Sequence, residues 1–316
     1  MAERGRGRPA PRTRRRLPPR RRRRAEEPDR PGRCPGGAAA ADRRRALTPP
    51  GRPVAGRAGT SEPRRNVAAV DVEGQVARVL AELRDRADPV RAANERRYLK
   101  SAFVHLGVPV PAIRKAAVPV ARELPDRGEL LALAGALWTV EDAGRPVHEA
   151  RMAAVEVLVK RVGLLEPGDI AVAERLILDS ASWVYVDNLA DRVAGALVLR
   201  EPGLGAVLDD WAADPCMWLR RSALLALLPG VRTGAPDLPR ISRFGDALIG
   251  ESEFFIRKAL GWVLREQSRK DPAWVTGWVE ARIADVPGVT LREAVRHLPD
   301  GDAARLTAAR KAAQRR

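Results

Sequence analysis

From about Val70 onward, apolar residues recur at the three-and-four spacing of a helix, and the two-residue alternation of strands is nearly absent. The stretch VEGQVARVLAELRDRA puts Val72, Val76, Val79, Leu80 and Leu83 on one stripe, a face that must be buried against another element. ERRYLKSAFVHLG reads as a helix closed by Gly107, a residue type suited to the left-handed position after a helix end. Pro109 and Pro111 then fall where a new helix starts and a missing N–H is harmless. Further helices are predicted at roughly 111–123, 127–138, 146–162, 167–179, 183–198, 201–213, 216–228, 238–249, 253–268, 272–284, 289–298 and 302–313. The breaks between them fall at EPGD, REPG, DLPR, KDPA and DVPG, clusters rich in turn formers and helix-capping acids.

A chain of about fourteen helices with short links implies an all-α fold, either a bundle or a solenoid. Helix pairs recur about every 35–45 residues, the range of HEAT and armadillo repeats. The expected architecture is therefore a HEAT-like or armadillo-type α-solenoid, in which one helix of each pair lines a concave face.

Charge changes this picture at one end only. The net charge is +17, but residues 1–66 hold 21 Arg, no Lys and six acids, a net of +15. The rest of the chain has 36 Lys and Arg against 34 acids, a net of +2. Nothing in residues 1–66 can bury a core, so a disordered Arg/Pro-rich tail is expected there, with the folded domain at 67–316. The tail reads as an electrostatic arm for nucleic acid, as a solvated segment without a role, or as a stretch added by a start site assigned too early, the reading its Arg/Pro/Ala/Gly excess favours. A basic composition alone thus says little about the folded body.

The remaining composition narrows the chemistry. No apolar run reaches the length of about 20 residues that a membrane helix needs. Cys34 and Cys216 offer no thiolate metal site, and His105, His148 and His297 show no short metal-ligand spacing, so no metal is expected. Aromatic residues make up only 4% of the chain, yet seven of the thirteen are Trp. Trp138, Trp211, Trp218, Trp274 and Trp278 read as packing residues, because a Trp in a helix usually belongs to the core.

Two other Trp residues fall into a pattern with charged side chains. Trp183 and Asp187, in SWVYVDNLADRV, are four apart and share a helix face. Arg221, in MWLRRSALLALL, follows Trp183 by 38 residues, and Trp262, in EFFIRKALGWVLRE, follows Arg221 by 41. Spacings of one repeat put the four on equivalent helices of successive repeats, facing one surface.

These stretches, together with YLKSAFVHLGV and LREAVRHL, resemble the HEAT-like-repeat alkylpurine DNA glycosylases over roughly residues 90–300. The resemblance implies a monofunctional DNA glycosylase that hydrolyses the N-glycosidic bond of cationic N3- or N7-alkylpurines in duplex DNA, without a deep base-flipping pocket. It assigns the active site to Trp183, Asp187, Arg221 and Trp262. Arg114, Lys115, Arg220, Arg257, Lys258, Arg265, Arg292 and Arg296 are expected to form a basic inner strip for DNA, with Tyr98, Arg114, Arg257, Lys258 and Arg265 as its contacts. No cofactor is implied, double-stranded DNA is the partner, and a cytoplasmic, nucleoid-associated monomer is expected. Ser182 stands where the family commonly has a second Trp, and Val184 and Tyr185 stand where polar residues are usual.

The residue types suit that chemistry. A cationic base already leaves readily and needs little general-acid help. A carboxylate at Asp187 would stabilise the oxocarbenium-like sugar and orient the attacking water. The indole faces of Trp183 and Trp262 would hold a cationic lesion. Arg221 would grip a backbone phosphate, and would pair with Asp187 when DNA is absent. The alternative is a helical-repeat scaffold that binds damaged or branched DNA, or a protein, without chemistry. In that case both indoles would be buried between helices.

Overall fold

The computed structural model describes residues 71–315. The expectations for the Arg/Pro-rich segment 1–66 fall outside this range. The chain opens with α1 (Val72–Asp85), α2 (Pro89–Tyr98), α3 (Val110–Glu123) and α4 (Arg127–Trp138). A short antiparallel hairpin follows, β1 (Glu141–Asp142) and β2 (Arg145–Pro146), turned on Ala143 and Gly144, both at positive φ. With two residues on each strand, the hairpin is too short to leave an alternating pattern in the sequence.

The middle of the chain holds α5 (His148–Lys160), α6 (Ile170–Asp179), α7 (Trp183–Asn188) and α8 (Gly195–Arg200). Between α7 and α8 the helix widens into a π segment, Leu189–Ala194, without breaking. Then come α9 (Gly205–Ala212), α10 (Met217–Leu225), α11 (Leu228–Thr233) and α12 (Leu238–Leu248). The chain ends on α13 (Phe254–Ser268), α14 (Pro272–Glu280), α15 (Gly288–Ala294) and α16 (Asp300–Ala313). Among the described residues no helix is long and apolar enough to cross a membrane.

Local chemistry explains most boundaries. Asp71, Asp88, Asp126, Asp237 and Asp271 each accept a backbone N–H from the first turn of the helix they precede. The last two are the acids of the DLPR and KDPA breaks, each followed by a proline in the first turn.

The helix expected to run to Gly107 ends instead at Tyr98. Residues 99–109 cross to the hairpin, where the Val104 N–H donates to the Pro146 carbonyl (2.9 Å) and the His148 N–H donates to the Val104 carbonyl (2.8 Å). The buried carboxylate of Glu149 accepts the N–H groups of Leu106 (2.9 Å), Gly107 (2.7 Å) and Val108 (3.3 Å). A side-chain acceptor has replaced the carbonyls that a helix would have offered. Gly107 does take a left-handed φ of 81°, but its role is close approach: a Cβ there would lie 2.1 Å from the Asp88 carbonyl oxygen.

The helices pack in sequence order over one continuous core. α3 and α4 lie on α5, α10 lies on α7 and α13, and α13 lies on α15. Polar bonds between these layers recur at nearly one repeat. Arg114 reaches Glu156 and Arg127 reaches Asp169, both 42 residues on, and Trp138 Nε1 donates to Asp179, 41 on. In the second half, Asp191 takes Arg232 and Ser242 takes Trp278 Nε1, 41 and 36 residues on. The result is an all-α helical repeat. Trp138, Trp211, Trp218 and Trp278 are buried within it and Trp274 is half-buried, in keeping with packing roles.

Candidate active site

The site is built on α7, α10 and α13. Ala181, just before α7, is held at a φ of 48°, a region disfavoured for a residue with a Cβ. It swings the chain from the end of α6 into the start of α7. Trp183 is the first residue of α7 and Asp187 lies one turn later on the same face. Trp183 is half-buried, packed against the core along one side. Tyr185, between them, points the other way and is fully buried. Its hydroxyl lies 2.6 Å from His148 Nδ1, and its ring meets Trp138 edge-on at 5.6 Å. Burial drives the Tyr185 phenol well above its usual pKa and holds His148 down to about 3, so a neutral phenol and a neutral imidazole share this hydrogen bond. Tyr185 therefore departs from the polar residue usual at its position for a packing reason, since it is a core side chain.

Asp187 meets Arg221 of α10 in a two-point fork. Arg221 Nε donates to Oδ1 at 2.7 Å and a terminal nitrogen donates to Oδ2 at 2.9 Å. The other terminal nitrogen donates to the Phe255 carbonyl at the start of α13, and the guanidinium lies 5.8 Å from the Phe255 ring centre. The Arg221 side chain is 4% exposed and that of Asp187 is 14% exposed. The arginine is thus locked inside while the carboxylate stays partly exposed. Phe255 was not singled out from the sequence, because its part is played by a backbone carbonyl that any residue would carry.

Trp262 lies two turns beyond Phe255 on α13, half-buried, with the Arg265 guanidinium 5.9 Å from its ring centre. The expected DNA contacts are more constrained than their charges suggest. Lys258 and Arg265, on either side of Trp262, both pair with Glu293 of α15. Arg114 makes a two-point pair with the buried Glu156 at 2.9 and 2.8 Å, and Arg192, just past Asp187 in the π segment, lies 3.6 Å from the same carboxylate. Arg257 Nε donates to the Glu251 carbonyl at 2.5 Å. Tyr98, at the end of α2, stands 75% exposed. The expected basic strip is thus held in place, Arg114, Lys258 and Arg265 on buried acids and Arg257 on a backbone carbonyl, with Arg114 and Lys258 still half-exposed. Repeat spacing alone did not reveal Glu156 and Glu293, which lie 42 and 35 residues from the bases they bind.

Beside this geometry stand the comparisons with known proteins. The family model described as DNA alkylation repair enzyme matches residues 79–298. The chain belongs to that family. The match runs from within α1 to just past α15 and takes in all four active-site candidates. A solved structure described as a predicted DNA alkylation repair enzyme from Enterococcus faecalis has the same fold, with a TM-score of 0.60. It is 20% identical and is matched over 98% of its own length and 68% of this chain. No curated protein matches the chain. Membership assigns this DNA alkylation repair protein a role in the repair of alkylated DNA.

Proposed function

We propose that the protein is a monofunctional DNA glycosylase that releases cationic N3- and N7-alkylpurines from duplex DNA by hydrolysis, without drawing the base into a deep pocket. The reading rests on the Asp187–Arg221 fork, which fixes a carboxylate that is still partly exposed on a helix that also carries Trp183. A carboxylate held in this way stabilises the positive charge that develops on the sugar as the base departs, with no reorganisation at that moment. The half-exposed faces of Trp183 and Trp262 supply attraction for a cationic lesion. Arg114, Arg257, Lys258 and Arg265, with Tyr98, hold the phosphate backbone around it. The lesion's own charge makes the base a good leaving group, so neither a general acid nor a Schiff-base lysine is required.

Neither indole is fully buried between helices, which supports an enzyme over a passive scaffold. Base release from methylated duplex DNA tests the proposal, with Asp187→Asn as the control. The variant is expected to lose at least about 100-fold in single-turnover rate while binding DNA nearly as before. A variant as active as the parent sinks the glycosylase assignment of Asp187.

A further inference from the structure

A second cluster lies away from the fork, where α2, the 99–109 connection and α5 meet. One ligating atom each from Glu95, His105 and Glu149 lies within 4.8 Å of the other two. Glu149 is fully buried, and its carboxylate is oriented by the three N–H groups of residues 106–108. Glu95 is oriented from outside by Arg91, 2.6 Å from Oε1, while its Oε2 is buried with no hydrogen-bond partner. Both ring nitrogens of His105 are likewise buried and unpartnered, although the ring is fixed by stacking on His148 at 4.3 Å. Buried polar atoms left without partners are costly, so the convergence of these on one point requires an explanation.

We infer that Glu95, His105 and Glu149 form a binding site for a divalent transition-metal ion of the zinc type. One cation would engage the unmet oxygen of Glu95 and a ring nitrogen of His105, and would add to the N–H groups that Glu149 already accepts. One imidazole and two carboxylates suit zinc, whereas magnesium and calcium prefer all-oxygen sets. Donors around a tetrahedral zinc stand about 3.4 Å apart, so the present spacing closes with small side-chain shifts. The outer partners needed to orient the ligands, the N–H triad on Glu149 and Arg91 on Glu95, are in place.

The ion also accounts for the docking of α2. That helix buries none of its residues, yet it carries the exposed Tyr98 three positions after Glu95. A metal bridging Glu95 to the connection and to α5 pins it to the body.

The test uses the untagged full chain, stripped with a chelator, reloaded with zinc and measured by elemental analysis and thermal melting. Stoichiometric zinc is expected, with a rise in melting temperature that magnesium does not produce. Glu95→Gln and His105→Asn are each expected to lose the zinc and the shift, while circular dichroism shows both still folded. Cobalt substitution is expected to give visible bands of nitrogen and oxygen ligation without a thiolate charge-transfer band, which separates this site from the cysteines. Substoichiometric zinc in the parent, equal zinc in the Glu95→Gln variant, or a thiolate band overturns the assignment. The readout is independent of base release, so the glycosylase reading stands or falls separately.

Discussion

Arg221 of α10 grips both carboxylate oxygens of Asp187, 34 residues earlier in the chain, and spends its remaining terminal nitrogen on the Phe255 carbonyl. The guanidinium therefore ties three successive layers together. Arg221→Ala leaves a largely buried carboxylate unpaired and is expected to cost about 3 kcal/mol in urea unfolding. Arg221→Lys keeps the charge but cannot form the fork, so it is expected to fall between the two. Equal stability of parent and Ala variant would show that the pair contributes nothing to the fold.

Trp183 and Trp262 are expected to discriminate cationic lesions from neutral DNA. At about 0.5–2 kcal/mol per indole, each Trp→Ala change should weaken binding to methylated DNA by about 2- to 30-fold. Binding to an unmethylated duplex of the same sequence should change little. Competition binding with the two duplexes measures the ratio directly, and an equal loss on both would assign the rings to packing.

Glu293 makes acid stability depend on a charge cluster. Burial pulls its carboxyl pKa up, but Lys258 and Arg265 outweigh burial and hold it below the usual value. A depressed carboxyl pKa adds stability that is present above the unfolded-state value, about 4.3, and is lost as the pH falls through the folded-state value. Glu293→Gln should therefore be less stable than the parent at about pH 7, and the gap should narrow at about pH 3. Urea midpoints at the two pH values provide the comparison.

Gly261, beside Trp262, marks where α13 crosses α15. A Cβ there would stand 2.8 Å from the Glu293 Cβ and 3.2 Å from the Thr290 Cα. The backbone contact cannot yield as a flexible side chain would. Gly261→Val is expected to destabilise by about 2 kcal/mol despite its better helix propensity, and to disturb the pairing of Lys258 and Arg265 with Glu293. Thermal melting and the salt dependence of DNA binding report the two effects.

The sequence by itself determined the helices and their order. The apolar stripe of α1, the aspartate caps before α12 and α14, and the repeat spacing from Trp183 to Arg221 to Trp262 are local or periodic facts, which survive whatever the chain packs against. Helix α11 escaped because it follows α10 almost directly, with a proline in its first turn. The Asp187–Arg221 pair was expected from the sequence, but the tertiary structure decided which other lone pairs and charges meet. It ended α2 at Tyr98 because Glu149, more than 40 residues away, captures the N–H groups that a longer helix would have used. It turned Tyr185 inward, placed Glu156 and Glu293 beneath the basic residues, and gathered Glu95, His105 and Glu149 from α2, α5 and the 99–109 connection. The physical reason is range. Hydrophobic periodicity is written within a turn or two of helix, whereas a buried polar group takes whatever partner the packing of distant layers brings within reach.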